Sequence, residues 1–158
     1  MVAVNQKTVF VYDDFSIDRP VLMGRLSDLM VPQPKKDLIE LWKRIVFNMA
    51  VTNTDDHLRN HAFILTDNKW ALSPLCDVNP VPYGSELSLN VDEADNSINI
   101  ELAVQTAVRF DISKSDAKLC AESIMKIVGG NWEKLASRHG LTRRQIEEMR
   151  PAFSICYE

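Results

Sequence analysis

Between Leu38 and Val51 apolar residues fall at 38, 39, 41, 42, 45, 46, 49 and 50, and Phe47 and Val51 widen the stripe almost all round. This three-to-four spacing predicts a buried helix over 38–51, with Asp37 as its N-cap and Glu40 as the acid that follows. Upstream, the β-branched and aromatic run predicts a strand around Thr8–Tyr12. Apolar positions 21, 22, 23, 26, 29 and 30 predict a short helix that Pro32 and Pro34 end. Downstream, A-F-I-L-T and K-W-A-L-S flank Asp67-Asn68, the pattern of two strands around a tight turn.

Residues 80–99 are turn-rich and acidic, a surface loop around a short strand at Leu87–Val91. The remainder reads as helices. Asn99 or Ser97 caps one over Ile100–Phe110, and Ser113 with Asp116 starts another that runs to about Val128 and closes at Gly129-Gly130. Trp132–His139 and Arg143–Phe153 form a final pair around Gly140-Leu141, with Thr142 and Gln145 as a capping box. The expected fold class is mainly α (α+β) with a small hairpin. Residues 1–158 read as one domain: a partly extended lead-in over 1–34, a central segment over 37–80 and a helical bundle over 97–155.

Composition narrows the class. A chain of 158 residues, 46% apolar and 25% charged, can bury a core. A net charge of −4 argues against broad nucleic-acid binding, which needs a basic surface. Cys76, Cys120 and Cys156 are odd in number and scattered, which suggests reduced thiols in a cytoplasmic protein. No apolar run approaches the ~20 residues that span a bilayer, so no membrane association is expected.

The chemistry concentrates between Asn53 and Pro80. N-T-D-D-H-L-R-N-H sets Asp55, His57, Arg59 and Asn60 within six positions, and L-S-P-L-C-D-V-N-P adds Asp77 beyond the hairpin. An acid, an amide five residues on and a second acid past a hairpin suit phosphoryl transfer. The first acid orients a hydroxyl, while the amide and second acid hold magnesium on nucleotide phosphates. Hydrolytic metal chemistry can also use Asp55, His57 and Asp77. Taken singly, each polar residue is equally a turn or cap residue.

With W-K-R-I-V-F-N-M at 42–49, these motifs resemble the catalytic segment of the HipA family, bacterial serine/threonine kinases that act as toxins of type II toxin–antitoxin systems. The resemblance extends loosely over residues 20 to 155. It implies a helical kinase C-lobe in which Asp55 is the catalytic Asp, orienting the substrate hydroxyl and accepting its proton, and Asn60 and Asp77 are the magnesium ligands. His57 then contacts phosphate or holds the loop by hydrogen bonds. Arg59 contacts the nucleotide or substrate, or lies on a solvated face. Asp56 is expected in solvent, and His61 as a buttress at the start of the strand.

The implied cofactors are ATP and magnesium. The implied partners are a protein substrate (in relatives an aminoacyl-tRNA synthetase) and a HipB-like antitoxin, through which alone DNA is contacted. Kinases of this family extend further on the N-terminal side, which carries their phosphate-binding loop and nucleotide-contacting lysine. The glycines here, at 24, 84, 129, 130 and 140, make no phosphate-cradling loop. The expectation is therefore a C-terminal portion, inactive without that N-terminal kinase part. Cys76 also replaces the aromatic residue that relatives place before the metal-binding acid.

A reading from a different class rests on residues 131–153. The A-x-x-x-G-L-T rhythm and Lys134, Arg138, Arg143, Arg144 and Arg150 fit a helix-turn-helix that binds DNA. Against it stands a plain helical hairpin with Trp132, Leu135, Ile146 and Met149 inward.

Overall fold

A computed structural model describes residues 7–10, 34–66 and 69–158. The helix expected over 21–31 and the Asp67-Asn68 turn lie outside them. Strand β1 (Lys7–Phe10) pairs antiparallel with β2 (Ala62–Thr66), and β2 pairs antiparallel with β3 (Lys69–Leu72). The expected hairpin is thus the outer part of a three-stranded sheet in the order β1-β2-β3. Among the described residues, four helices carry the rest: α1 (Pro34–Ala50), α2 (Ile100–Thr106), α3 (Lys114–Arg138) and α4 (Arg143–Met149). Short 3-10 turns at Leu58–Asn60, Ala107–Phe110 and Arg150–Tyr157 complete the set. The architecture is mainly α.

Helix α1 is the axle. Leu41, Trp42, Ile45, Val46 and Met49 are at most 1% exposed, so the stripe read from the sequence is the face that the core closes over. Phe63 from β2, Leu87 and Val91 from the loop, Ala103 and Phe110 near α2, and Ala117 and Ala121 from α3 pack on it. The Trp42 indole N–H donates to the Ala103 carbonyl at 2.8 Å, which satisfies the one polar atom of an otherwise apolar anchor. A second cluster joins Ala50 and Val51 to Val128, Trp132, Ile146, Ala152 and Phe153. There the Trp132 and Phe153 rings stack with centroids 4.2 Å apart.

Helix α1 begins at Pro34 rather than after Asp37. A proline tolerates the first turn because its missing N–H would be unsatisfied there. Asp37 instead lies in that first turn, where burial raises its carboxyl pKa against the lowering pull of a backbone hydrogen bond from Leu72. The Leu87–Val91 stretch alternates inward residues as a strand would, but only an isolated bridge, Glu86 to Ser97, pairs nearby.

The larger difference is α3. It runs unbroken through Gly129-Gly130 for 25 residues, merging two predicted helices. Gly129 is there for closeness: a Cβ on it would sit 3.1 Å from the Cys156 Cβ. The true stop is Gly140 at φ 87°, where Leu141 N–H reaches the Ala136 carbonyl as helix-closing turns require. Leu135, expected inward, is half exposed. Asn99, Ser113 and Thr142 cap as read, and Thr142 with Gln145 forms the capping box.

Candidate functional site

The Asn53–Asn60 loop leaves α1 through a strained residue. Thr52 has φ 50°, a left-handed backbone that a β-branched side chain rarely adopts. It terminates the helix: Thr52 N–H bonds Met49 O at 3.1 Å and Asn53 N–H bonds Asn48 O at 2.8 Å. The conformation is held from two further sides. Thr52 Oγ1 donates to the Ala152 carbonyl at 2.8 Å, and the Thr52 carbonyl accepts from Val81 N–H at 3.1 Å. Strain of this kind persists where surrounding contacts over-determine it, and it clusters at functional sites.

The bed beneath the loop is polar and buried. Arg44, Asn48, Asn53, Asp56 and His61 are each at most 4% exposed. Arg44 donates to the Ser73 carbonyl at 2.6 Å and pairs with Glu40 at 3.1 Å, which ties α1 to the end of β3. Asn53 Nδ2 donates to Asn48 Oδ1 at 3.1 Å. Asp56 Oδ1 and His61 Nε2 stand 2.9 Å apart, an ion-pair separation with the ring turned off the line of a hydrogen bond. Asp56 is therefore not in solvent, as the sequence reading had it, but inside, beside the buried His61 ring.

The candidate chemical groups sit on this bed. Asp55 is exposed, whereas Asn60 is 5% exposed. Asn60 Nδ2 donates to the Asp55 carbonyl at 3.2 Å, which joins the two ends of the loop. The sheet returns the chain to the same place: Cys76 Sγ donates to the Asn60 carbonyl at 3.5 Å, so Asp77 follows directly on a contact with Asn60. Asp77 is exposed and left-handed at φ 55°, and its Oδ1 accepts from Asn79 Nδ2 at 2.8 Å. Asp is among the few residues that tolerate this backbone. Arg59 is exposed, and His57 is half-buried with its Nδ1 enclosed and no partner for it among the described residues.

The following loop packs against the start of the Asn53–Asn60 loop. Ser88 Oγ donates to the Thr54 carbonyl at 2.6 Å, and Gly84 lies so close to Thr54 that a Cβ there would overlap the Thr54 methyl. Arg109 pairs with Glu93 at 2.7 Å and holds the far end, depressing the Glu93 carboxyl pKa. Tyr83 stands out from this loop at 86% exposure. Among the described residues no three His, Cys, Asp or Glu side chains are grouped to hold a metal ion, which leaves the Asp55–His57–Asp77 hydrolytic set without an assembled centre.

A family profile for the HipA-like C-terminal domain matches residues 3–150. The chain belongs to that family. No curated protein matches it. The HipA-like match runs through the basic tail as well as the loop. In that tail Arg144 pairs with Glu148, and Arg150 bridges Glu133 and Glu147 while lying 5.7 Å over the Trp132 ring. Trp132 and Ile146 are buried, as a helical hairpin that closes the core requires. No helix among the described residues is long and apolar enough to cross a membrane.

The sequence reading missed the buried pair Asp56–His61 and the Thr52 turn. The first had no signal that separates Asp56 from Asp55, since adjacent acids look alike in sequence. The second had none, because threonine gives no hint of a left-handed backbone.

Proposed function

We propose that this chain carries the base and metal side of a HipA-type phosphotransfer site, acting on a serine or threonine hydroxyl of a protein with ATP and magnesium. The observation that carries the reading is the convergence of the two acid motifs. Asn60 bonds the Asp55 carbonyl, and the residue before Asp77 bonds the Asn60 carbonyl. Membership of the HipA-like family supports it further.

Asp55, exposed at the loop's outer end, is the group that orients the substrate hydroxyl and accepts its proton. Asn60 and Asp77 would hold magnesium. The hard oxygen donors of one amide and one carboxylate suit that ion, which commonly takes few protein ligands and completes its shell with water and phosphate. When bound, magnesium neutralises charge on the transferred phosphoryl group. With its amide nitrogen committed to Asp55, the Asn60 side chain keeps its oxygen as the donor for a cation. His57 and Arg59 stand on the same loop as phosphate or substrate contacts. The nucleotide grip comes from an N-terminal kinase part, and a HipB-like antitoxin restrains the enzyme.

The test is transfer of radiolabelled phosphate from ATP and magnesium to serine or threonine, measured on the chain joined to a HipA-type N-terminal part. Asp55→Asn is expected to lower the rate by about a hundredfold or more, the usual worth of a positioned base. Asp77→Asn and Asn60→Ala should lower transfer and raise the magnesium concentration that it needs. Undiminished transfer in Asp55→Asn would overturn the reading.

A further inference from the structure

Asp55 and Asn60 stand five positions apart, and so do their immediate successors Asp56 and His61, both 1% exposed. The loop is thus closed by two rungs one residue apart. The outer rung is a hydrogen bond, Asn60 Nδ2 to the Asp55 carbonyl at 3.2 Å; the inner is a close polar approach of Asp56 Oδ1 to His61 Nε2 at 2.9 Å, off the line of a hydrogen bond. Between them the backbone turns through His57 N–H to Asp55 O, Asn60 N–H to His57 O, and His61 N–H to Leu58 O at 2.9–3.1 Å.

The two ends of the inner rung differ in rigidity. His61 immediately precedes β2, whose first residue Ala62 is paired with Phe10 and accepts from Ser73 N–H at 2.7 Å. Asp56 lies in irregular loop. Burying a carboxylate is costly unless it is paired, so a mere space-filler at 56 would be apolar.

We propose that the Asp56–His61 pair is a positioning clamp, which transmits the rigidity of the sheet into the loop and fixes Asp55 against Asn60. The proposal rests on the phosphotransfer reading for its purpose, though not for its geometry. Neither residue touches the reacting atoms. Their effect is to hold the hydroxyl-orienting acid and the metal-binding amide within the narrow tolerance that a preorganised site needs.

The test is a double-mutant cycle on the full 158-residue chain, read by hydrogen exchange at the Asn60 and His61 amides. His61→Phe keeps the ring's bulk and removes the polar contact. Asp56→Ala removes the acid, with Asp56→Asn as the milder change should the alanine variant fold poorly. Each single change is expected to speed exchange at these two amides by roughly tenfold or more relative to the α1 amides. The double variant Asp56→Ala/His61→Phe should recover most of the protection, because removing both members of a buried polar pair costs less than removing one.

Manganese(II) gives a readout that simple packing would not move. Its paramagnetic broadening of the Asn60 signal should weaken in the single variants and return in the double, while that of Asp77 stays. Additive exchange effects, or His61→Phe leaving both readouts unchanged, would overturn the clamp. A wild-type chain that shows no manganese effect would count against the metal reading, and the exchange cycle then decides the clamp by itself.

Discussion

Two sides of α1 lead into opposite kinds of interior. At the C-terminal side, Ala50 and Val51 enter a dry cluster in which Trp132 stacks on Phe153 and the charges, Arg150 with Glu133 and Glu147, stay outside. Along the flank that faces the Asn53–Asn60 loop, Arg44, Asn48, Asn53, Asp56 and His61 are buried together. The first arrangement gains stability from apolar burial at ~25 cal/mol per Å². The second gives up part of that gain to hold polar groups inside. A chain selected for stability alone would build both interiors like the first. The polar bed lies in and beneath the segment that carries Asp55 and Asn60, which fits its being there to fix a loop.

The largest way to sharpen this contrast is Phe153→Ala. It should cost about 3–5 kcal/mol in urea unfolding, the range for truncating a buried aromatic. Under native conditions it should leave manganese broadening at Asn60 intact. Coupled loss of both would mean that the two interiors are one unit.

Next is Gly84→Ala, whose new methyl overlaps Thr54. A cost of about 1–3 kcal/mol is expected, as for overpacking elsewhere. Adding Thr54→Ser removes the offending methyl and should recover most of it, measured by the same unfolding curves. Recovery would show that the glycine serves close approach of the 79–90 loop to the site. Without recovery, Gly84 is needed for some other reason.

Thr142→Ala removes the Oγ1 acceptor of the Gln145 N–H and half of the capping box, at a cost of about 1 kcal/mol. It belongs to the stable tail and should leave the loop amides unaffected. Smaller still is Arg144→Ala, which breaks an exposed pair with Glu148 and should change stability by less than about 0.5 kcal/mol.

Thiol chemistry separates the regions by pH. Cys76 is exposed beside Asp77, whereas burial pushes the Cys156 thiol up to about 11. Alkylation at pH 8 should therefore label Cys76 well before Cys156. The Cys156 shift favours the neutral thiol in the folded state. Its contribution is complete below the ordinary thiol pKa and fades as pH rises toward 11, so the tail interior loosens only at alkaline pH. Equal labelling of both cysteines at pH 8 would contradict the contrast.

Much of this was legible in the residues. The α1 stripe, the caps at Asn99, Ser113 and Thr142, and the hairpin around Asp67-Asn68 rest on local periodicity and capping chemistry, which one sequence carries in full. Gly129-Gly130 misled because glycine signals both a helix stop and a close contact. Only the approach of Cys156, 27 residues away, distinguishes them. The return of Cys76-Asp77 to Asn60 was readable because hairpin topology predicts it. The inward turn of the Asp beside Asp55 was harder. Adjacent acids look alike in sequence, and it is the fold that turns Asp56 inward beside His61 and leaves Asp55 outside.

The central claim is that Asn60 and Asp77 form one cation-binding edge beside Asp55. The most direct measurement is titration of the chain with manganese(II) while the amide signals are followed by nuclear magnetic resonance. The account predicts selective broadening around Asp55, Asn60 and Asp77, lost in Asp77→Asn and absent from α4. Broadening that ignores these residues, or that survives Asp77→Asn unchanged, would contradict it.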